Sequence, residues 1–219
     1  MKMLQIKYTL FGLLLLLAVG LSSQNIGKYY VNMPDKLDPT MTSKIRLEIV
    51  EYHKAGLTDT IHNRFGNQAN LQILDSLNNY IVVKSTQNSS LEMKLLKLDD
   101  GTDVIGVIHS VCAPICQSVV EFYDIAWVRI PVQFSMPKAV QWIDSTKLAA
   151  ATELDKTWVA SVLTDSFISL HFDAANPWLV ASNNSAEFLS DDDRKVILPL
   201  LNTSSIVFQL EGRKWIQKR

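Results

Sequence analysis

Hydrophobic positions recur along this chain with two different periods, and the change of period divides it into elements. Over residues 43–55, Ile45, Ile49 and Tyr52 recur at spacings of four and three, while Lys44, Glu48 and Glu51 fall elsewhere. That pattern predicts an amphipathic helix. Gly56 stands where a helix C-terminal stop belongs. Residues 24–39 contain Gly27, Pro34 and Pro39, lack periodicity and read as an irregular lead-in. Residues 57–70 are polar and carry no clear period.

From residue 71 strand character takes over. Strands are predicted over 71–77, 80–83, 91–98, 104–111 and 118–123. The turn signals between them are Asn78-Asn79, residues 87–90, Asp100-Gly101 and residues 112–116. Within 91–98, Leu91, Met93 and Leu95 mark one face and Glu92 and Lys94 the other. The gaps are too short for the crossovers of a dozen or more residues that parallel pairing requires. The block therefore reads as an antiparallel meander of four or five strands.

Pro131 and Pro137 flank a variable stretch. Residues 146–163 then read as a helix with Leu148, Leu154, Trp158 and Val162 inward. Phe167, Ser169 and His171 alternate with Ile168, Leu170 and Phe172, a strand whose wholly apolar set faces inward. A turn at 174–177 leads to a strand over 178–182. Ser190 looks like an N-cap, with Asp191, Asp192 and Asp193 in the first turn of a helix ending near Leu201. Residues 206–211 form a strand, Gly212 a turn, and Trp215-Ile216 its partner. Strands and helices do not alternate regularly, which argues against a parallel α/β sheet. The fold class is α+β: a curved antiparallel sheet with helices packed on one face. Residues 24–219 form one domain, divisible into sub-halves of about 24–130 and 131–219. Each half runs helix first and strands second, but no residue-level repeat accompanies that order.

The stretch that fits neither period is the N-terminus. Lys2 and Lys7 precede an almost purely apolar run, 8–21, followed by Ser22, Ser23 and polar Gln24. This is the layout of a secretory signal peptide over residues 1–23. A membrane anchor would need about 20 apolar residues, more than this run supplies. Cleavage near Ser23 is expected, leaving Gln24 first and no transmembrane segment. No Cys lies near the cut, which excludes a lipid-modified N-terminal Cys. Lys+Arg total 21 against Asp+Glu at 22, a balance with no electrostatic footprint for nucleic acid. Arg213, Lys214, Lys218 and Arg219 read as a mildly basic, solvated tail.

Candidate chemistry is sparse. Cys112 and Cys116 are the only cysteines, and an exported chain meets an oxidising compartment, so they are expected to form a disulfide closing a hairpin tip. His109 lies three residues from Cys112 and faces the other way on a strand, which disfavours a thiol nucleophile. His53, His62, His109 and His171 are scattered without ligand spacing, and no metal or other cofactor is implied. Asp191-Asp192-Asp193 lacks the calcium-loop pattern. There is no Gly-rich phosphate loop and no Gly-x-Ser-x-Gly elbow. Trp127, Trp142, Trp158, Trp178 and Trp215 are expected mostly in the core, with one or two exposed and able to line a glycan or peptide groove.

Several stretches together carry a resemblance: Met33-Pro34-Asp35, Ile45 to Tyr52, Asn63-Arg64-Phe65-Gly66, Leu91 to Leu96, the Val111 to Ser118 turn, Phe122-Tyr123, Trp127 and Leu189 to Lys195. In these the chain resembles the DUF3256 family, uncharacterised secreted proteins of Bacteroidales. The Cys-x-Pro-x-Cys turn with its downstream Phe-Tyr and Trp is the most specific part, and 131–163 the least. The resemblance implies a Gram-negative envelope setting, periplasmic or secreted, and carries over no activity. The expected function is a non-catalytic binding or interaction module for an envelope protein or glycan. The alternatives are an envelope hydrolase using dispersed residues such as His171, Asp173 and Glu121, or an outer-membrane assembly factor. Asp59-Thr60-Ile61, Asp75-Ser76-Leu77 and Asp144-Ser145-Thr146 resemble an O-glycan acceptor of exported proteins in this phylum, so Thr60, Ser76 and Ser145 are candidate glycosylation sites. Protein isolated from its native envelope is expected to begin at Gln24, and glycosylation at any of the three candidate sites would add mass to the bare mature chain. N-terminal sequencing that finds Met1, or an intact mass equal to the bare chain, contradicts the respective expectation.

Overall fold

A computed structural model of the chain describes residues 25–163 and 167–218. The signal peptide expected over 1–23 lies outside them. The stretch read as an irregular lead-in contains a helix, α1 (Ile26–Asn32), capped by the Asn25 side chain, which accepts from the Gly27 N–H. Ile26 and Tyr30, one turn apart, are fully buried. Seven residues are too few to display a helical period before Pro34 ends the run.

The next helix, α2 (Ser43–Lys54), forms where expected, but its inner face is Arg46, Ile49 and Val50, and Tyr52 is turned outward. The reason is the buried Arg46. Its guanidinium donates to the Met33 and Met41 carbonyls and pairs with Asp35 at 2.9 Å. A buried charge is tolerable only when so paired, and a count of apolar positions assigns Arg to the outside.

Six strands follow: β1 (Thr60–His62), β2 (Gln68–Asp75), β3 (Tyr80–Lys84), β4 (Ser89–Lys97), β5 (Asp103–Cys112) and β6 (Cys116–Tyr123). They form one antiparallel meander in sequence order. The strand beyond the expected four or five is β1, whose three residues are too few to show alternation. The helix read over 146–163 is two helices, α3 (Ser145–Ala149) and α4 (Glu153–Val162), each with its own side-chain cap, from Asp144 and from Thr152. The break resets the phase. Val159 and Leu163 therefore point inward, and Leu154 is exposed. The strands β7 (Ile168–Phe172), β8 (Trp178–Asn183), β9 (Ile206–Glu211) and β10 (Lys214–Gln217) make a separate antiparallel sheet, ordered β10-β9-β8-β7. Helix α5 (Asp191–Ile197) is capped by Ser190, as its sequence indicates.

The first sheet is covered on both faces, which gives the protein two cores. On one face α1 and α2 pack Ile26, Tyr30, Ile49 and Val50 against Ile81, Val83, Leu91, Met93 and Val107. On the other, Val104, Ile108 and Phe122 pack against Leu170, Phe172, Phe208, Trp215, Trp142 and Val159. Glu92 and Lys94, assigned by alternation to the face opposite Leu91 and Met93, are consequently buried beneath the second sheet.

At Gly106 the first sheet comes close to the second. A Cβ placed there would lie 2.5 Å from the Phe172 ring, and Phe172 is itself buried. Glycine inside a strand is ordinarily unfavourable, and here it makes room for an aromatic ring. Gly106→Ala is expected to destabilise the protein by about 1–3 kcal/mol in denaturant titration, with part of the loss recovered in the Gly106→Ala, Phe172→Leu double variant. An unchanged or raised midpoint for the single variant contradicts this packing.

Candidate functional site

A cluster of perturbed titratable groups, Tyr80, Glu92 and Lys94, lies at the junction of the sheets. β7 pairs with β8 along one edge. On its other edge, the Leu170 N–H donates to Ser118 Oγ at 3.0 Å and the Phe172 N–H donates to the Glu92 carboxylate. Lys94 Nζ donates to the Asp173 and Ala174 carbonyls, both at 2.7 Å, and lies near the Tyr80 ring. Burial pushes the Glu92 carboxyl up to about 7, against the hydrogen bonds from the Phe172 N–H and the Tyr80 hydroxyl, which favour the charged form. Burial also lowers Lys94 and raises Tyr80. Perturbed groups often mark active sites. This carboxylate faces a strand edge inside the protein, and its bonds are structural.

The residues named for a dispersed hydrolase are not brought together. His171 and Asp173 lie close in sequence at the end of β7. Glu121 shares a side of the first sheet with Tyr123, which belongs to the helix-covered core. It accepts from the Tyr123 hydroxyl at 2.6 Å and pairs with Arg129 at 3.0 Å. The sheet itself stands between Glu121 and β7. Among the described residues no group of three His, Cys, Asp or Glu side chains is placed to hold a metal ion.

Cys112 and Cys116 are directly paired across the ends of β5 and β6 and are joined by a disulfide. The Asn184 side chain donates to the Cys116 carbonyl at 3.0 Å, tying this tip to the second sheet. His109 pairs with Val119 and Leu91 on the helix-covered side, away from the disulfide. Thr60, Ser76 and Ser145 are all exposed. Ser76 sits in the turn between β2 and β3, Ser145 opens α3, and the Thr60 hydroxyl accepts from the Asn70 amide at 3.1 Å.

The outer face of the second sheet is the most distinctive surface. Strand register arranges its side chains in rows. Ser169, Ser182 and Ser205 form one, and the Ser182 and Ser205 hydroxyls are bonded at 2.8 Å. His171, Val180, Val207 and Lys218 form the second, with Lys218 N–H extending β10 onto the Val207 carbonyl. Trp178, Gln209 and Ile216 form the third. Trp178 is partly exposed, and Lys218 Nζ sits 3.4 Å from its ring centroid. A hollow of about 320 Å³ opens beside them, lined also by Asn202, Ser204, Ser205 and Gln217. An aromatic ring, a cation, and amide and hydroxyl groups around one hollow make a polar binding surface.

A family model described as "Protein of unknown function (DUF3256)" matches residues 18–215. The chain belongs to this family. The solved structure of a domain of an uncharacterized protein from Porphyromonas gingivalis W83 is similar, with a TM-score of 0.73 and 16% identity over 88% of this chain and 97% of that one. At that identity the likeness establishes a shared fold. Among curated proteins none matches.

Several motif positions of this DUF3256 chain are architectural. Asp35 pairs with Arg46, Phe122 packs near Trp215, and the Tyr123 and Trp127 rings lie 5.5 Å apart. Of the five tryptophans, Trp142 and Trp215 are buried, and Trp127, Trp158 and Trp178 are partly exposed. The pairing of Trp178 with Lys218 escaped sequence reasoning because it joins positions forty residues apart, one of them in the basic tail. The available signal was the strand register of β8 to β10.

Glu92 gives the DUF3256 protein a defined pH response. Its ordinary value is 4.5 and folding raises it to about 7, so the folded state holds the proton more tightly. The stabilisation is whole below 4.5 and is lost as pH rises through about 7, amounting to about 3 kcal/mol. His109 and His171, lowered by burial, act in the opposite sense below their ordinary value. Comparison with Glu92→Gln isolates the carboxylate. Stability curves from pH 5 to 8 should show wild type falling relative to Glu92→Gln, and parallel curves contradict the assignment.

Proposed function

We propose that this DUF3256 protein is exported to the cell envelope and acts there as a non-catalytic binding module, a single domain whose working surface is the outer face of the second sheet. The observation that carries the reading is the arrangement of Trp178, Lys218 and the serine row on an open sheet face beside a polar hollow. Side chains on a sheet are held by their strands, so such a face presents its groups preorganised. Export rests on the basic and apolar leader of residues 1–23, and the Cys112–Cys116 disulfide suits an oxidising compartment. The exposed hydroxyls of Thr60, Ser76 and Ser145 are open to O-glycosylation there. The partner is an envelope component, protein or glycan. The hydrolase reading has less support, because Glu121 is separated by a sheet from His171 and Asp173.

The test is co-sedimentation of the purified mature protein with washed native envelopes. Wild type is expected to be retained, and Trp178→Ala to lose about tenfold in retention with an unchanged circular dichroism spectrum. Equal retention of the two proteins, or none of either, overturns the reading.

A further inference from the structure

We infer that the hollow beside Trp178 and Lys218 is a site for an acidic saccharide, a sugar bearing a carboxylate. The inference rests on the binding-module reading and names the ligand class of the same face. Lys218 Nζ lies over the indole at 3.4 Å. A cation so placed is held by the ring's electron-rich face. Among the described residues its Nζ makes no hydrogen bond and no ion pair, whereas Lys54, Lys97, Lys147, Lys156 and Lys195 each pair with a carboxylate. With one side of the ammonium turned to the ring, its remaining donors are left for an anion. Glu211, a carboxylate on the same strand face as Gln209, accepts from the Gln209 amide at 2.7 Å.

The remaining lining suits hydroxyl groups. Ser204, Ser205, Asn202 and Gln217 surround the hollow, and each carries both donor and acceptor capacity. A sugar ring has an apolar C–H face that packs on an aromatic side chain and a rim of hydroxyls that need such two-way partners. Lys218 lies on the Trp178 ring face, so Val207 and the part of the indole left open by the cation supply the apolar contact, and the amides and hydroxyls meet the rim. The volume of about 320 Å³ falls at the small end of small-molecule sites, as a binder of one end or one segment of a longer chain requires. The cation adds the preference for a carboxylate. Its partly exposed position makes that preference electrostatic and salt-sensitive.

The experiment follows the Trp178 indole N–H by NMR in the full mature protein, assigned through Trp178→Phe, during titration with a trigalacturonate. The Trp142 and Trp215 signals, from buried rings on the core side, report that the fold is intact. A saturable shift confined to the Trp178 signal is expected, weakened about tenfold by Lys218→Gln and by added salt. An uncharged trisaccharide should bind wild type and Lys218→Gln alike, at the weaker level. No Trp178 shift with trigalacturonate up to about 10 mM, or equal affinity for the charged and uncharged sugars, overturns the inference. So does inorganic phosphate giving the same shift as tightly as the sugar, which would make this an anion site. Retention on envelopes through Trp178 without any saccharide response would sink this inference and leave the binding reading standing. Loss of both would remove both.

Discussion

Two backbone N–H groups on the free edge of β7, those of Leu170 and Phe172, find their acceptors in side chains of the first sheet. An edge strand normally presents such groups to water. Here the edge lies inside the protein, where an unpaired N–H would cost about 1–3 kcal/mol. Ser118 and Glu92 meet that need, and Lys94 does the same for the carbonyls just past the strand. These bonds set the position and tilt of the second sheet on the first. The close approach at Gly106 and the aromatic contacts of Phe122, Phe172 and Trp215 follow from that placement.

Arg46 plays the corresponding part on the opposite face. Its guanidinium gathers the Met33 and Met41 carbonyls and Asp35, folding the connection between α1 and α2 against the sheet. Each core of this protein is thus organised around a buried charge that satisfies backbone groups of a segment lacking its own partners. Burying a charge costs free energy, and the return is a defined position for one layer on another. A purely apolar interface would leave the second sheet freer to slide. Because that sheet is fixed, its outer face is a rigid display of Trp178, Lys218 and the serine row.

The meander was legible because its turns are chemically explicit. Asn79 adopts a positive φ at the β2–β3 hairpin and Gly101 at the β4–β5 hairpin, as their residue types indicate. The apolar set of β7 and the Ser190 cap were readable for the same local reasons. What escaped was whatever depends on the third dimension. Alternation in 91–98 separates Leu91 and Met93 from Glu92 and Lys94 correctly, yet it cannot show that a second sheet covers the polar side. Arg46 looks like a surface residue until its carbonyl partners are in place. The gap between α3 and α4 is written in Thr152, but Ala149 to Ala151 hides it beneath good helix formers. The candidate site was the least legible feature, since Trp178 and Lys218 meet only through the register of three strands.

Side-chain acceptors from the first sheet hold the edge of the second, so that the two sheets form one cooperative unit. Native-state hydrogen exchange of the Leu170 and Phe172 amides tests it most directly. Both should exchange through the same opening as Met93 and Val107 in the first sheet, with equal opening free energy and equal denaturant dependence. Exchange of Leu170 and Phe172 through a separate, lower-energy opening, while the first sheet stays protected, would contradict it.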